Sequence, residues 1–166
     1  MNTMYFTQGV VLAKRDTGDA DILYTIYTKD YGKIRALAPG IKKEGAKLRG
    51  HLEVLSASTI GFVIGKKSPR LVYAKMFRFW ENMRTDFFCI RAAYLIGNWC
   101  DQHCLQSLPD EPIYHFLVES IDALEENHMT PALLKQFMKM RKDYFIGLLG
   151  GETSLAPFGR MFMENL

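Results

Sequence analysis

The sequence contains no run of about 20 apolar residues, the length a helix needs to cross a bilayer. Its first residues, Met1 to Gly9, lack the charged-then-apolar order of a secretory leader, so a cytosolic protein with no membrane contact is expected. Cysteine is scarce. Cys89, Cys100 and Cys104 are odd in number and follow no disulfide framework, as expected of free thiols in a reducing compartment. No internal repeat or low-complexity segment occurs, which excludes solenoids and tail-like chains.

Catalytic and metal signatures are missing too. Gly61 to Lys67 imitates a phosphate-binding loop, but three residues separate Gly61 from Gly65 and Lys67 stands where Ser or Thr must bind magnesium. Asp16, Asp19 and Asp21 lack the alternate spacing and distal Glu of a calcium loop, and turn chemistry explains them. Cys100, His103 and Cys104 fall within one helical turn, yet no second ligand pair exists for zinc and nothing orients the histidine as a base. No metal, cofactor or catalytic residue is expected.

What is present is an uneven distribution of charge. Residues 1–80 carry 14 Lys and Arg against 6 Asp and Glu, whereas residues 81–166 carry 7 against 12. A basic module that meets a polyanion is joined to a module with another task. With 48% hydrophobic and 13% aromatic residues in 166, the chain has material for one compact unit or two small modules sharing a core.

The basic half reads as five short runs rich in Val, Ile, Thr, Tyr and Phe: Tyr5 to Lys14, Asp21 to Tyr27, Lys33 to Ala38, Ser56 to Ile64 and Arg70 to Phe79. Turn residues separate them, except that Pro39 to Leu52 is too long for a hairpin. Five strands with one excursion after the third fit an OB-fold barrel, and an open sheet of similar order fits as well. From Trp80 the hydrophobic period lengthens to about 3.6. Helices are expected from Phe87 to about Cys104 behind an Asp86 cap, across Ile113 to Leu124, and from Thr130-Pro131 to Gly150-Gly151. The expectation is an α+β chain, with a nucleic-acid-binding barrel over 1–80 and an α-helical domain over 81–166.

Lys33 and Arg35 alternate with Ile34 and Ala36 and should share one strand face. With Lys14, Arg15, Lys42, Lys43, Lys47, Arg49, Lys66, Lys67 and Arg70 they form the candidate phosphate-neutralising set. Tyr24, Tyr27, Tyr31, Phe62 and Tyr73 are candidates for stacking bases, with core packing as the alternative for each. In the third helix Lys135, Lys139 and Lys142 form a basic stripe, and Arg141 falls among Leu134, Met138, Phe145 and Leu148. That arginine needs an internal ion pair, with Glu119 or Asp122, or a partner's carboxylate.

Four successive blocks then resemble the RecO family: Gln8 to Leu12, Gly18 to Leu23, Tyr31 to Gly40 and Leu48 to Glu53. The stretch Arg84 to Leu95 is similar to the family's first helix. The resemblance implies an OB-fold packed on a helical domain, without catalytic activity, in a bacterial, cytoplasmic and nucleoid-associated protein. It implies binding of single- and double-stranded DNA, annealing of complementary strands, and DNA-damage repair in the RecF pathway. RecR, the C-terminal tail of single-strand-binding protein (SSB) and, indirectly, RecA are the implied partners, with Lys135, Lys139, Arg141 and Lys142 meeting the SSB tail. Many members run longer and carry a four-cysteine zinc motif; no Cys-x-x-Cys pair occurs here, so zinc is not carried over and a short form is expected. Two further classes compete: a general OB-fold binder of single-stranded DNA or RNA, and an enzyme built on Cys100 and His103.

Overall fold

The computed structural model describes residues 3–126 and 130–150. Five strands come first: β1 (Met4–Thr17), β2 (Asp21–Thr28), β3 (Gly32–Ala38), β4 (Ala57–Val63) and β5 (Arg70–Arg78). They close in the order β1-β2-β3-β5-β4, with β3 and β5 parallel and the other neighbours antiparallel. Closure of this kind removes the sheet edges and is the OB-fold topology rather than an open sheet.

Alternation decides which residues fill the barrel. Val11, Tyr24, Ile26, Ile34, Ala36, Ile60, Phe62 and Leu71 point inward as one cluster. Ile41 and Leu52, at the two ends of the long β3–β4 connection, join that cluster and fix an otherwise irregular segment to it. Strand β1 runs three residues past its expected end at Lys14, because a bulge between Val11 and Ala13 shifts the alternation and lets Arg15 to Thr17 continue the ladder with Leu23 to Asp21.

Four helices follow: α1 (Glu81–Thr85), α2 (Phe87–His103), α3 (Glu111–Glu126) and α4 (Pro131–Leu148). The single-turn α1 carries no periodicity that sequence could reveal. Asp86 caps α2 by accepting from the N–H groups of Phe88 and Cys89 at 2.8 and 2.9 Å, and Thr130 caps α4 from Leu133 at 3.3 Å. Gly150, with φ +81°, follows α4; Gly151, also expected to end it, lies outside the described residues.

A second core joins the two halves. Val10, Leu12, Tyr27, Leu55 and Ala57 from the barrel pack with Ala92, Ala93, Ile96, Trp99, Phe116 and Phe145 from the helices. Fully burying a side chain such as Leu55 or Ile96 contributes about 1.5–3 kcal/mol, so this seam holds the halves together firmly. Arg84 braces it by donating to the carbonyls of Phe79, Val54 and Leu55 at 2.7–2.9 Å, and Asp122 accepts from Trp80 Nε1 at 2.6 Å. Gly32 permits one further close approach: it has φ +62°, and a Cβ there would lie 2.1 Å from the Leu108 carbonyl oxygen.

Candidate nucleic-acid interface

The outer surface of the barrel follows from its register. Because Tyr24 and Ile26 face inward, Leu23 and Thr25 face outward, and pairing carries that parity across the sheet. Arg15 lies opposite Leu23, Leu23 opposite Leu37, and Leu37 beside Arg70. One row across four strands therefore begins and ends on arginine with two half-buried leucines between. Arg35, opposite Thr25, stands one step away.

Beyond Leu37 this row opens into a cleft of about 660 Å³ between the end of β3 and the β4–β5 hairpin. Leu37, Ile64 and Val72 give it apolar walls; Lys66, Lys67 and Arg70 give it charge. In an OB-fold the outer β2–β3 surface and the β1–β2 and β4–β5 loops are the usual oligonucleotide site.

The long connection after β3 supplies the second basic group. Its apolar residues are held in the barrel, so Lys42, Lys43, Lys47 and Arg49 are turned to solvent. Acids of the β1–β2 turn secure it. Asp21 accepts from the Gly40 N–H at 2.8 Å, and Asp16 pairs with Lys42 at 2.9 Å. Lys14 pairs with Glu53 at 3.2 Å. Among the described residues, Arg15, Arg35, Lys43, Lys47, Arg49, Lys66, Lys67 and Arg70 form no ion pair with an acid. Exposed and unneutralised, they retain their full field for a polyanion.

Lys33 departs from the expectation. It shares the outer face with Arg35, but the end of α2 and the segment after it close over that part of the strand. Lys33 is 7% exposed, donates to the Asp101 carbonyl and lies 3.4 Å from Asp101 Oδ1. Ser107 N–H donates to its carbonyl at 2.9 Å. The charge serves the junction between barrel and helices and cannot reach a phosphate.

Most of the candidate aromatics are core residues. Tyr24, Tyr27 and Phe62 are buried, and Tyr31 is wedged edge-on against Tyr5 and Phe62 with centroids 5.8 and 5.3 Å away. Burial, with Glu53 and Asp16 nearby, pushes the Tyr24 hydroxyl up to about 12. Only Tyr73 of that set is exposed. Phe6, also exposed, was not singled out, because Tyr5 and Phe6 are adjacent and periodicity does not tell which faces in.

In the helical half Lys135 and Lys139 are exposed, and Lys142 and Arg141 are half-buried. Arg141 finds neither expected acid: Asp122 is occupied by Arg78 at 2.5 Å and by Trp80. The guanidinium lies 5.3 Å from the centre of the Phe137 ring, and among the described residues its buried Nε has no hydrogen-bond partner.

The comparisons with known proteins bear on this arrangement. Residues 1–76 match the family model described as Recombination protein O N terminal. Similarity continues through the helical half in proteins named DNA repair protein RecO. The chain is 25% identical over 150 residues to that of Gloeothece citriformis, covering 90% of this chain and 53% of the relative. The chain is similar to RecO proteins over most of its length. It is 26% identical over 148 residues to the RecO of Moorella thermoacetica, with 89% and 55% covered. For Trichodesmium erythraeum RecO the figures are 27% over 134 residues, 80% and 46%. The chain thus spans about half the length of the curated relatives it matches.

Two further places in the chain bear on chemistry. Among the described residues no three His, Cys, Asp or Glu side chains gather as a metal site requires. A nucleophilic role for Cys100 is disfavoured by its position. Cys100 is fully buried, and its hydrogen bond with Cys104 together with burial holds its thiol protonated. His103 packs edge-on to Phe145 at 6.4 Å. No helix of the described residues is long and apolar enough to cross a membrane.

Proposed function

We propose that this chain is a recombination mediator of the RecO family, without catalytic chemistry. It binds single- and double-stranded DNA on its barrel, anneals complementary strands and helps load RecA onto SSB-coated DNA. The observation that carries the reading is the exposed, unneutralised set of cations on the β2–β3 face, the β4–β5 hairpin and the β3–β4 connection. Such a set neutralises phosphates and releases condensed counterions, which acts on any strand. Residues 1–80 hold nucleic acid in this account, and residues 81–166 meet proteins.

For SSB, the acidic apolar C-terminal tail implied by the family resemblance needs an apolar surface with a cation at its end. Arg141, with no acidic partner among the described residues and flanked by Lys135, Lys139 and Lys142, supplies that cation, and its planar fork engages both oxygens of a carboxylate. RecR acts with the chain on the same DNA.

Strand annealing with and without SSB tests the proposal. Faster annealing of bare strands that persists on SSB-coated strands supports a mediator. Annealing of bare strands alone points to a general single-strand binder. No effect on either substrate refutes both.

A further inference from the structure

The barrel has a second outer surface, formed by β1, β4 and β5, and the registers lay it out as three ladders. Met4 lies opposite Val63 and Val63 opposite Arg70; Phe6 opposite Gly61 and Gly61 opposite Tyr73; Gln8 opposite Thr59 and Thr59 opposite Lys75. The next positions, Val10 and Ala57, disappear beneath the helices, so these three ladders are the open part.

The middle ladder is unusual for a solvent face. Phe6 and Tyr73 are 54% and 40% exposed, and their rings meet edge to face at 5.8 Å across Gly61. The glycine is what lets them meet: a Cβ at position 61 would lie 2.9 Å from Phe6 Cε1 and 3.0 Å from Tyr73 Cβ. Two large rings left in water at the centre of a sheet mark a binding surface. Their surroundings indicate the ligand. Residues 54–80 contain five Lys and Arg and no Asp or Glu, and β1 adds no acid before Asp16. Of the cations in that span, Arg78 is engaged by Asp122, whereas Arg70 and Lys75 flank the rings on the open face. Exposed rings bordered by cations, on a sheet without acids, match a strand that presents bases and phosphates together.

We propose that this outer β1–β4–β5 face is a base-stacking site for single-stranded nucleic acid, with Phe6 and Tyr73 as its platform and Arg70 and Lys75 for its phosphates. The site rests on the nucleic-acid reading above and deepens it. It lies on a different sheet surface from the Arg15–Leu23–Leu37 row, and the two share only Arg70, through which one strand passes from one surface to the other.

The test uses the full chain and three fluorescent probes: a thymidine strand of about 15 nucleotides, near the upper end of an OB-fold footprint, an abasic strand of the same length, and a duplex. Phe6→Leu and Tyr73→Leu should each weaken binding of the thymidine strand by about tenfold, the scale of one lost base stack. Abasic-strand and duplex affinities and the salt dependence should stay unchanged. Gly61→Ala, which keeps both rings but displaces them, should weaken the thymidine strand likewise, and Tyr73→Phe should bind it as the natural chain does. Melting temperatures establish that each variant is folded. Natural affinity for the thymidine strand in folded Leu variants overturns the site while leaving the nucleic-acid reading intact. Equal losses on thymidine and abasic strands overturn stacking in favour of backbone contact. Dissociation of a self-assembled dimer without loss of strand affinity shows a protein-docking face instead. If the natural chain binds no probe, the general reading fails together with the site.

Discussion

Replacing Lys33 by methionine separates a structural cation from a DNA-binding one. The side chain is 9% exposed, its ammonium donates to the Asp101 carbonyl, and Asp101 Oδ1, with no hydrogen-bond partner among the described residues, lies 3.4 Å away as its ion-pair partner. Methionine fills a similar volume but leaves the carbonyl without its donor and the carboxylate without its cation. Losing a hydrogen bond to a charged group costs about 1.5–3 kcal/mol, and breaking a buried pair costs about 3–5 kcal/mol. Asp101 keeps 29% of its side chain in contact with water, which places this pair near the lower overlap, at about 3 kcal/mol. For a chain of this size that lowers Tm by roughly 6–12 °C. Calorimetry measures the shift, and a cycle with Asp101→Asn isolates the coupling. Single-strand affinity at a temperature where Lys33→Met remains folded should match the natural chain. An unchanged Tm with a clear loss of DNA affinity would refute the argument.

Two further outcomes follow from the helical half. Burial and the charge of Lys33 depress the pKa of His103 below its ordinary 6.5, so below that pH the unfolded chain binds the proton more readily. Stability is retained above about pH 6.5 and is lost as pH falls below it; His103→Gln should flatten this part of a Tm-against-pH curve, and an identical slope would remove His103 as its source. Arg141→Ala should reduce binding of an SSB tail peptide by about tenfold, the scale of one charge-assisted contact, while leaving bare-strand affinity nearly unchanged. Calorimetric titration reads the effect, and unaltered peptide affinity in a folded variant rejects the receptor.

The parts of the fold governed by local periodicity were readable in the sequence: all five strands, the three longer helices, the Asp86 and Thr130 caps, and the long excursion after β3. Parity was readable too, since Lys33 and Arg35 do share a face. What periodicity could not show was which part of that face another element covers. The contact of Leu108 with Gly32 is set by residues 76 positions apart, and it turns Lys33 from a surface cation into a junction residue. The same limit applied to the aromatics. Strands of a small barrel carry large side chains on both faces, so Tyr24 and Tyr27 were indistinguishable in type from Tyr73 until closure of the barrel and docking of α2 buried the first two. Arg141 was legible as a cation among apolar residues, but its neighbour proved to be the Phe137 ring, because Asp122 is held by Arg78 and Trp80.

The central claim, that the exposed cations of the barrel hold DNA by its phosphates, is tested most directly by measuring single-strand affinity against salt. If about six phosphates are neutralised, log affinity should fall with a slope of about −4 against log salt. Combining Arg35→Ala, Lys43→Ala, Lys66→Ala and Lys67→Ala should weaken binding and flatten the slope by about 0.7 for each cation that engages a phosphate. Lys135→Ala, Lys139→Ala and Lys142→Ala together should leave it nearly unaltered. A salt-independent affinity, or equal losses from the barrel and helix sets, would contradict the account.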